Sequence, residues 1–210
     1  MMLDGYIGDL TEPQRNKIQR IIAKGEFLLG LVRDYLDLAR VEGAGLAVDP
    51  KKDVDLVGDV LEPAIDIARP QVEAKGMRVD TDWPQGGLAV DADPDLLRIV
   101  AVNFVGNAAK YGAEGGRIRV TAACTDGGFR VAVWNEGPGF PESQRERPFR
   151  KFSRLQTPEL LRQKGTGVGL YTVARVVRLH GGRVAAESQP GKSAEFSFEI
   201  PQPPVVARDV

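Results

Sequence analysis

Cysteine and histidine are nearly missing from this chain, with one of each, Cys124 and His180. A lone cysteine excludes a disulfide framework within the chain. Cys124 stands in an alternating apolar stretch and reads as a small core residue. An excess of one charge is missing too. The 210 residues carry 28 Lys and Arg against 29 Asp and Glu, a balance that leaves no electrostatic footprint for nucleic acid. No run is long and apolar enough to span a bilayer, and the N-terminus lacks a signal peptide's apolar region. These absences suit a cytoplasmic chain that makes no membrane contact of its own, although a fragment of a membrane-anchored protein has the same features. What is present is an apolar fraction of 42%, enough for a real core. The length fits one ordinary domain plus an appendage, or two small domains.

The most informative stretch is Asp93 to Tyr111, DPDLLRIVAVNFVGNAAKY. Asp93 is a good N-cap, and Pro94 suits the first helical position, where its missing N–H costs nothing. Leu97, Val100, Ala101, Phe104, Val105 and Ala108 form one buried face. Opposite them stand Asn103, Asn107 and Lys110, with Tyr111 at the edge. This row is either the solvated side of an amphipathic helix or a site. Asparagine is a poor helix former, and a solvated face is usually built from Glu, Lys and Arg. Carboxamide oxygens can coordinate a hard cation such as magnesium, the Lys110 ammonium can meet a phosphate, and Tyr111 offers an aromatic face.

Upstream, Met1 to Leu10 reads as the end of one helix and a turn. Thr11, Pro13 and Gln14 then make a helix start with a capping box. Ile18, Ile21, Leu28, Val32, Tyr35 and Ala39, widened by Ile22, Leu29 and Leu36, recur at alternating intervals of three and four. This is the seam of a helical bundle or coiled coil; the alternative is a helix packed on its own domain. Arg40 to Gly45 ends it. A polar linker leads to a short edge strand at Asp53 to Asp55. A helix follows over Leu56 to Lys75, with Leu56, Val60, Ala64, Ile67 and Ala68 on its apolar face and Gly76 closing it. Strands are expected at Met77 to Asp82, Leu88 to Asp91, Arg117 to Cys124 and Phe129 to Asn135, the last two split by a hairpin signal at Asp126-Gly127-Gly128.

A long irregular segment, Glu136 to Gly165, comes next. Loops of this length inside a compact domain are usually functional or disordered. It begins Asn135-Glu136-Gly137-Pro138-Gly139 and ends Gly165-Thr166-Gly167-Val168-Gly169. Between these lie Arg145, Arg147, Arg150, Lys151, Arg154, Arg162 and Lys164, with Phe149 and Phe152. Gly165 to Gly169 opens a helix running to about Leu179, and free N–H groups at a glycine-rich helix start make an anion site. Strands at Arg183 to Ser188 and Ala194 to Ile200 close the chain, before a tail expected to be disordered.

One glycine turn is weak evidence, but the order of these signals is specific. NFVGNAAKY, NEGPG, PFRKFSRL and GTGVGL resemble the N box, first glycine box, F box and second glycine box of the ATP-binding domain of sensor histidine kinases. RLHGGRVAAES resembles that family's exit from helix to strand. The resemblance implies a two-layer α/β sandwich of the histidine-kinase and gyrase ATPase type, its mixed sheet covered by helices on one face and preceded by a helical-bundle segment. It divides the chain into a partial dimerisation segment at 1–45, a catalytic domain at 46–201 and a tail at 202–210. ATP and Mg²⁺ are the implied ligands. Asn107 is the implied metal ligand, with Asn103 supporting it or the phosphates. Lys110 contacts phosphate, Tyr111 packs by the adenine, and Asn135, Gly137 and Gly139 form the first glycine box. Gly165, Thr166, Gly167, Val168, Gly169 and Leu170 offer backbone N–H groups to the phosphates. Arg154 matches the arginine that reaches the γ-phosphate, and Asn103, Lys110 and Arg154 are the implied catalytic set. The resemblance implies that ATP is held between the asparagine-bearing helix and the long irregular segment, its lid, and Phe149 and Phe152 are expected to anchor that lid to the core.

Two departures bear on function. The family's first glycine box usually carries Asp where this chain has Asn135; an amide oxygen still accepts a hydrogen bond, without the charge. The histidine phosphorylated in such kinases lies on a first bundle helix that this chain is expected to lack, and His180 reads as a structural helix terminus. The implied activity is transfer of the γ-phosphoryl of ATP to a histidine supplied elsewhere, for onward transfer to a response regulator receiver domain, with homodimerisation through the bundle helix. The alternatives are a nucleotide-binding dimerising scaffold and an ATPase of the same superfamily. Such ATPases place a water-activating glutamate where Asn103 stands, and an amide cannot take that proton.

Overall fold

The computed structural model describes residues 10–43, 47–155, 157 and 165–202. The expectations for residues 1–9 and 203–210, and for Arg162 and Lys164, lie outside the described residues. The chain opens with a long helix, α1 (Glu12–Glu42), started by the capping box, in which the Thr11 N–H donates to Gln14 Oε1 at 2.9 Å. Its stripe of Ile21, Leu28, Leu29, Val32, Tyr35 and Leu36 is exposed, while Leu38 and Val41 near its end are buried where α1 meets a later helix, α4 (Gly169–Leu179).

Strand β1 (Lys51–Asp55) runs into a π-helical turn, Leu56–Leu61, and then α2 (Glu62–Ala74). The continuous α-helix expected from Leu56 is therefore not formed. The wider turn resets the phase, and the buried stripe of α2 becomes Ala64, Ile65, Ala68 and Val72. Ile67, assigned to the buried face on periodicity, is 60% exposed. Strands β2 (Arg78–Asp82) and β3 (Ala89–Ala92) precede α3 (Pro94–Tyr111), the asparagine-bearing helix. The hairpin β4 (Arg117–Thr125) and β5 (Gly128–Glu136) follows. Beyond the irregular segment come α4, β6 (Arg183–Gln189) and β7 (Ser193–Pro201).

β1 and β3 form a two-stranded antiparallel ribbon, and the main sheet has the order β2-β4-β5-β7-β6. The β2–β4 pair is parallel and the other pairs are antiparallel, so the sheet is mixed as expected. Alternation decides its two faces. Ile118 and Val120 on β4, Val131 and Val133 on β5 and Phe196 and Phe198 on β7 are buried in one core with the inner faces of α2, α3 and α4. The opposite face carries Arg119 over the Trp134 ring at 5.7 Å and an Arg130–Glu195 ion pair at 2.7 Å. Among the described residues, helices thus cover one face only. Cys124, expected in the core, is exposed; burial of that strand face persists to Ala122 and lapses beside the β4–β5 turn.

Phe104 on α3 holds the layers together, its ring 6.1 Å from Phe196 and 6.2 Å from Phe198. Phe104→Ala removes a fully buried aromatic ring and leaves a cavity between helix and sheet. The expected loss is about 3–5 kcal/mol of unfolding free energy, read from urea denaturation; a loss below about 1 kcal/mol contradicts this packing.

Candidate functional site

α3 is anchored at both ends. At its start, Asp93 Oδ1 accepts the N–H groups of Asp95 and Leu96, each at 3.1 Å. The Asp93 N–H donates to His180 Nε2 at 3.2 Å, while His180 Nδ1 lies 2.9 Å from the Val176 carbonyl oxygen. The two contacts assign the proton to Nδ1 and leave Nε2 as acceptor. His180 thus ties the end of α4 to the start of α3, the structural role its place in the chain suggests. At the other end of α3, Lys75, just past α2, donates to the carbonyls of Lys110 at 2.6 Å and Gly112 at 3.1 Å. Burial pushes the Lys75 ammonium below its ordinary pKa, and Glu114 pulls it partly back.

Between these anchors, α3 turns Asn103, Asn107 and Lys110 away from the sheet, all half-buried. Asn103 donates its amide to the Ile99 carbonyl at 2.8 Å. Its oxygen lies against the backbone of Gly169, where a Cβ would collide with it. The Asn107 side chain has no hydrogen-bond partner among the described residues. The Lys110 ammonium sits 5.2 Å from the Tyr111 ring centre. Both side chains reach the start of the second glycine turn: a Cβ on Gly165 would lie 3.0 Å from Tyr111 Oη and 3.2 Å from Lys110 Nζ.

The glycine turns are shaped by close approach. Gly137 presses on the last turn of α3, so that a Cβ there would stand 2.9 Å from the Tyr111 carbonyl oxygen and 3.0 Å from Asn135 Nδ2. Asn135 is 4% exposed and donates to the Glu136 carbonyl at 3.0 Å, with no partner for its Oδ1 among the described residues. Gly139, with φ of 59°, faces the β6–β7 turn instead, against Ser188 and the Gln189 and Ser193 carbonyls. In the second turn, Gly167 has φ of 72° and touches the backbone of Phe152 and Ser153. This contact brings Arg154, half-buried, beside the turn. Thr166 Oγ1 accepts the Val168 N–H at 3.2 Å. Val168 is the N-cap of α4, whose helical residues begin at Gly169 rather than at Gly165. Leu170 in the first turn packs on the core.

The two lid phenylalanines separate. Phe149 stacks edge-on to Phe196 at 6.2 Å and anchors the segment, as expected. Phe152 does not: it is 68% exposed, with φ of 57°. The Lys151 ammonium stands between two rings, 5.5 Å from Phe152 and 5.7 Å from Tyr171. Lys75 is the site-supporting residue that motif reading overlooks, because nothing in AKGM distinguishes it from any lysine at a helix end.

The outer face of α3, the first glycine turn, the backbone beside Arg154 and the glycine-rich start of α4 thus converge. Amide oxygens, cations and helix-start N–H groups face one another there, a combination suited to a polyanion with a hard cation. Asn107→Ala is expected to weaken Mg-ATP binding at least tenfold, about 1.4 kcal/mol, by calorimetry; unchanged affinity in a folded variant removes Asn107 from the site.

Comparison with known proteins gives the family and the fold. Residues 92–204 match the family of histidine kinase-, DNA gyrase B-, and HSP90-like ATPases. The chain is 30% identical to the histidine protein kinase DivJ of Caulobacter vibrioides, over 92% of this chain and 32% of that protein. It is 33% identical to the adaptive-response sensory kinase SasA of a Synechococcus species, over 81% of this chain and 45% of that one. Among solved structures, full-length ShkA in complex with AMPPNP superposes with a TM-score of 0.74 at 32% identity, covering 92% of this chain and 40% of that one. The chain therefore spans less than half the length of these relatives.

Proposed function

Because the chain belongs to the family of histidine kinase-, DNA gyrase B-, and HSP90-like ATPases, we propose that it is the ATP-binding catalytic module of a sensor histidine kinase. The observation that carries this reading is the convergence of Lys110 and Tyr111 on Gly165 and of Asn103 on Gly169. ATP lies between α3 and the second glycine turn. Asn135 accepts from the adenine amino group through its unpartnered Oδ1, and Tyr111 packs beside the base. Gly137 shapes the adenine end, while the turn from Gly165 to Leu170 presents backbone N–H groups to the phosphates, apart from Val168, whose N–H donates to Thr166 Oγ1. Lys110 and Arg154 meet the phosphate oxygens.

Asn107 suits a magnesium ion: its carboxamide is a hard oxygen donor, half-buried on the site side of α3, with no protein partner among the described residues. Magnesium, when bound, supplies charge neutralisation at the phosphates. Asn103 acts by holding Gly169, and hence the start of α4, against α3.

The reaction breaks the bond from the γ-phosphorus to its bridging oxygen, releases ADP and forms a phosphorus–nitrogen bond to an imidazole. Little covalent chemistry falls to the protein, which positions the groups and offsets charge. The acceptor is a histidine outside this chain. His180 does not fit that role, because its Nε2 accepts the Asp93 N–H and its Nδ1 faces the Val176 carbonyl. The exposed stripe of α1 is the surface for a partner helix and a second protomer. Residues 1–45 are then the dimerisation part and 46–201 the catalytic domain, with a response regulator receiver domain as the onward acceptor. No helix among the described residues is long and apolar enough to cross a membrane.

The test mixes the chain with γ-labelled ATP and a separate histidine-bearing helix. Acid-labile label on that helix, and none on His180, is the expected result. Free phosphate alone indicates an ATPase, bound unreacted ATP a scaffold, and label on His180 overturns the proposal.

A further inference from the structure

Lys75 stands outside every motif of the site, yet it grips the helix that carries the site. Its ammonium donates to the carbonyls of Lys110 and Gly112 at 2.6 and 3.1 Å. Its own carbonyl accepts the Gly115 N–H at 2.8 Å. The end of α2 is thus clasped to the end of α3 from both the side chain and the backbone of one residue. A Cβ on Gly112 would collide with Met77 Cε, so the Met77 side chain also packs against the Gly112 backbone.

A lysine over free carbonyls is ordinary helix capping, and such carbonyls can equally bond to water. Which carbonyls these are decides more. They flank Tyr111, whose own carbonyl is covered by Gly137. The last turn of α3 is therefore held on one side by Lys75 and on the other by the first glycine turn. The side chains projecting from that turn are Lys110 and Tyr111, and both end beside Gly165. Desolvating an ammonium costs free energy that a water-capped helix end avoids. The return is a fixed backbone under two residues that meet the ligand, and small displacements of such residues weaken binding disproportionately.

We propose that Lys75 is a positioning residue for nucleotide binding, acting through the backbone of Lys110 and Gly112 to aim Lys110 and Tyr111 at the second glycine turn. The inference rests on the nucleotide reading of the site.

The test measures Mg-ATP affinity by calorimetry on the full 210-residue chain, at a temperature where circular dichroism shows each variant folded. Lys75→Met keeps the aliphatic stem and removes the donor; Lys75→Ala, which also has no donor, takes its place if the methionine variant does not fold. The expected result is an affinity about tenfold lower, returned to within about threefold by Lys75→Arg, whose guanidinium can still cap carbonyls. In a Lys110→Ala background the same substitution is expected to cost about threefold or less, because coupled residues are not additive. Unchanged affinity in a folded Lys75→Met chain overturns the inference. So does an equal loss in both backgrounds with no rescue by arginine, the signature of a general structural role. If the wild-type chain itself binds no Mg-ATP, the nucleotide reading fails first and takes this inference with it, an outcome distinct from failure of Lys75 alone.

Discussion

Everything in the sheet-bearing part of the chain depends on one helix serving two surfaces. The inner face of α3 is wedged into the sheet through Phe104, against Phe196 and Phe198. Its outer face carries Asn103, Asn107 and Lys110. A rigid helix couples the two: a shift that relaxed the core would displace the amides and the ammonium together. The ends of α3 are accordingly held by groups remote in sequence, His180 on the Asp93 N–H and Lys75 on the Lys110 and Gly112 carbonyls. The site inherits its geometry from core packing, with polar contacts at the ends setting the final placement.

The glycines complete this arrangement by what they leave out. Gly137 lies on the Tyr111 carbonyl, Gly167 on the backbone of Phe152 and Ser153, and Gly169 on Asn103. At each, a side chain would occupy space that a neighbouring element already fills. Only Gly167 among them needs a left-handed φ, so conformational freedom explains one case and close approach explains all three. The same contacts bring the lid's Arg154 and the start of α4 to the outer face of α3.

Much of this was legible in the residues. The α3 stripe, the Thr11 capping box and the β4–β5 hairpin all follow from local rules, and each formed near its expected bounds. So did the mixed sheet with helices on one face, once the motif order pointed to a family. What escaped was non-local. The π turn at Leu56–Leu61 rotates the next helix, and no residue type announces it, so periodicity alone puts Ile67 on the wrong side. Cys124 keeps the inward phase of β4, but burial stops one step before it. Phe152 resembles an anchor in sequence, yet it sits in a left-handed conformation beside Gly167 and points its ring to solvent. Gln202, assigned to a disordered tail, donates its N–H to the Gly127 carbonyl at 2.9 Å, and its side chain pairs with the Asp91 backbone. Lys75 belongs with these cases. A lysine at a helix end has no signature until the fold shows whose carbonyls it reaches.

The central claim is that one nucleotide is held jointly by the last turns of α3 and the turn that opens α4. Amide hydrogen exchange of the full chain, with and without Mg²⁺ and a non-hydrolysable ATP analogue, tests it most directly, because local opening is read segment by segment. The account predicts slowed exchange in Gly165 to Leu170 and in the stretch from Asn107 to Gly112 at the same analogue concentration. Protection confined to other segments, or none in these two under saturating analogue, would contradict it.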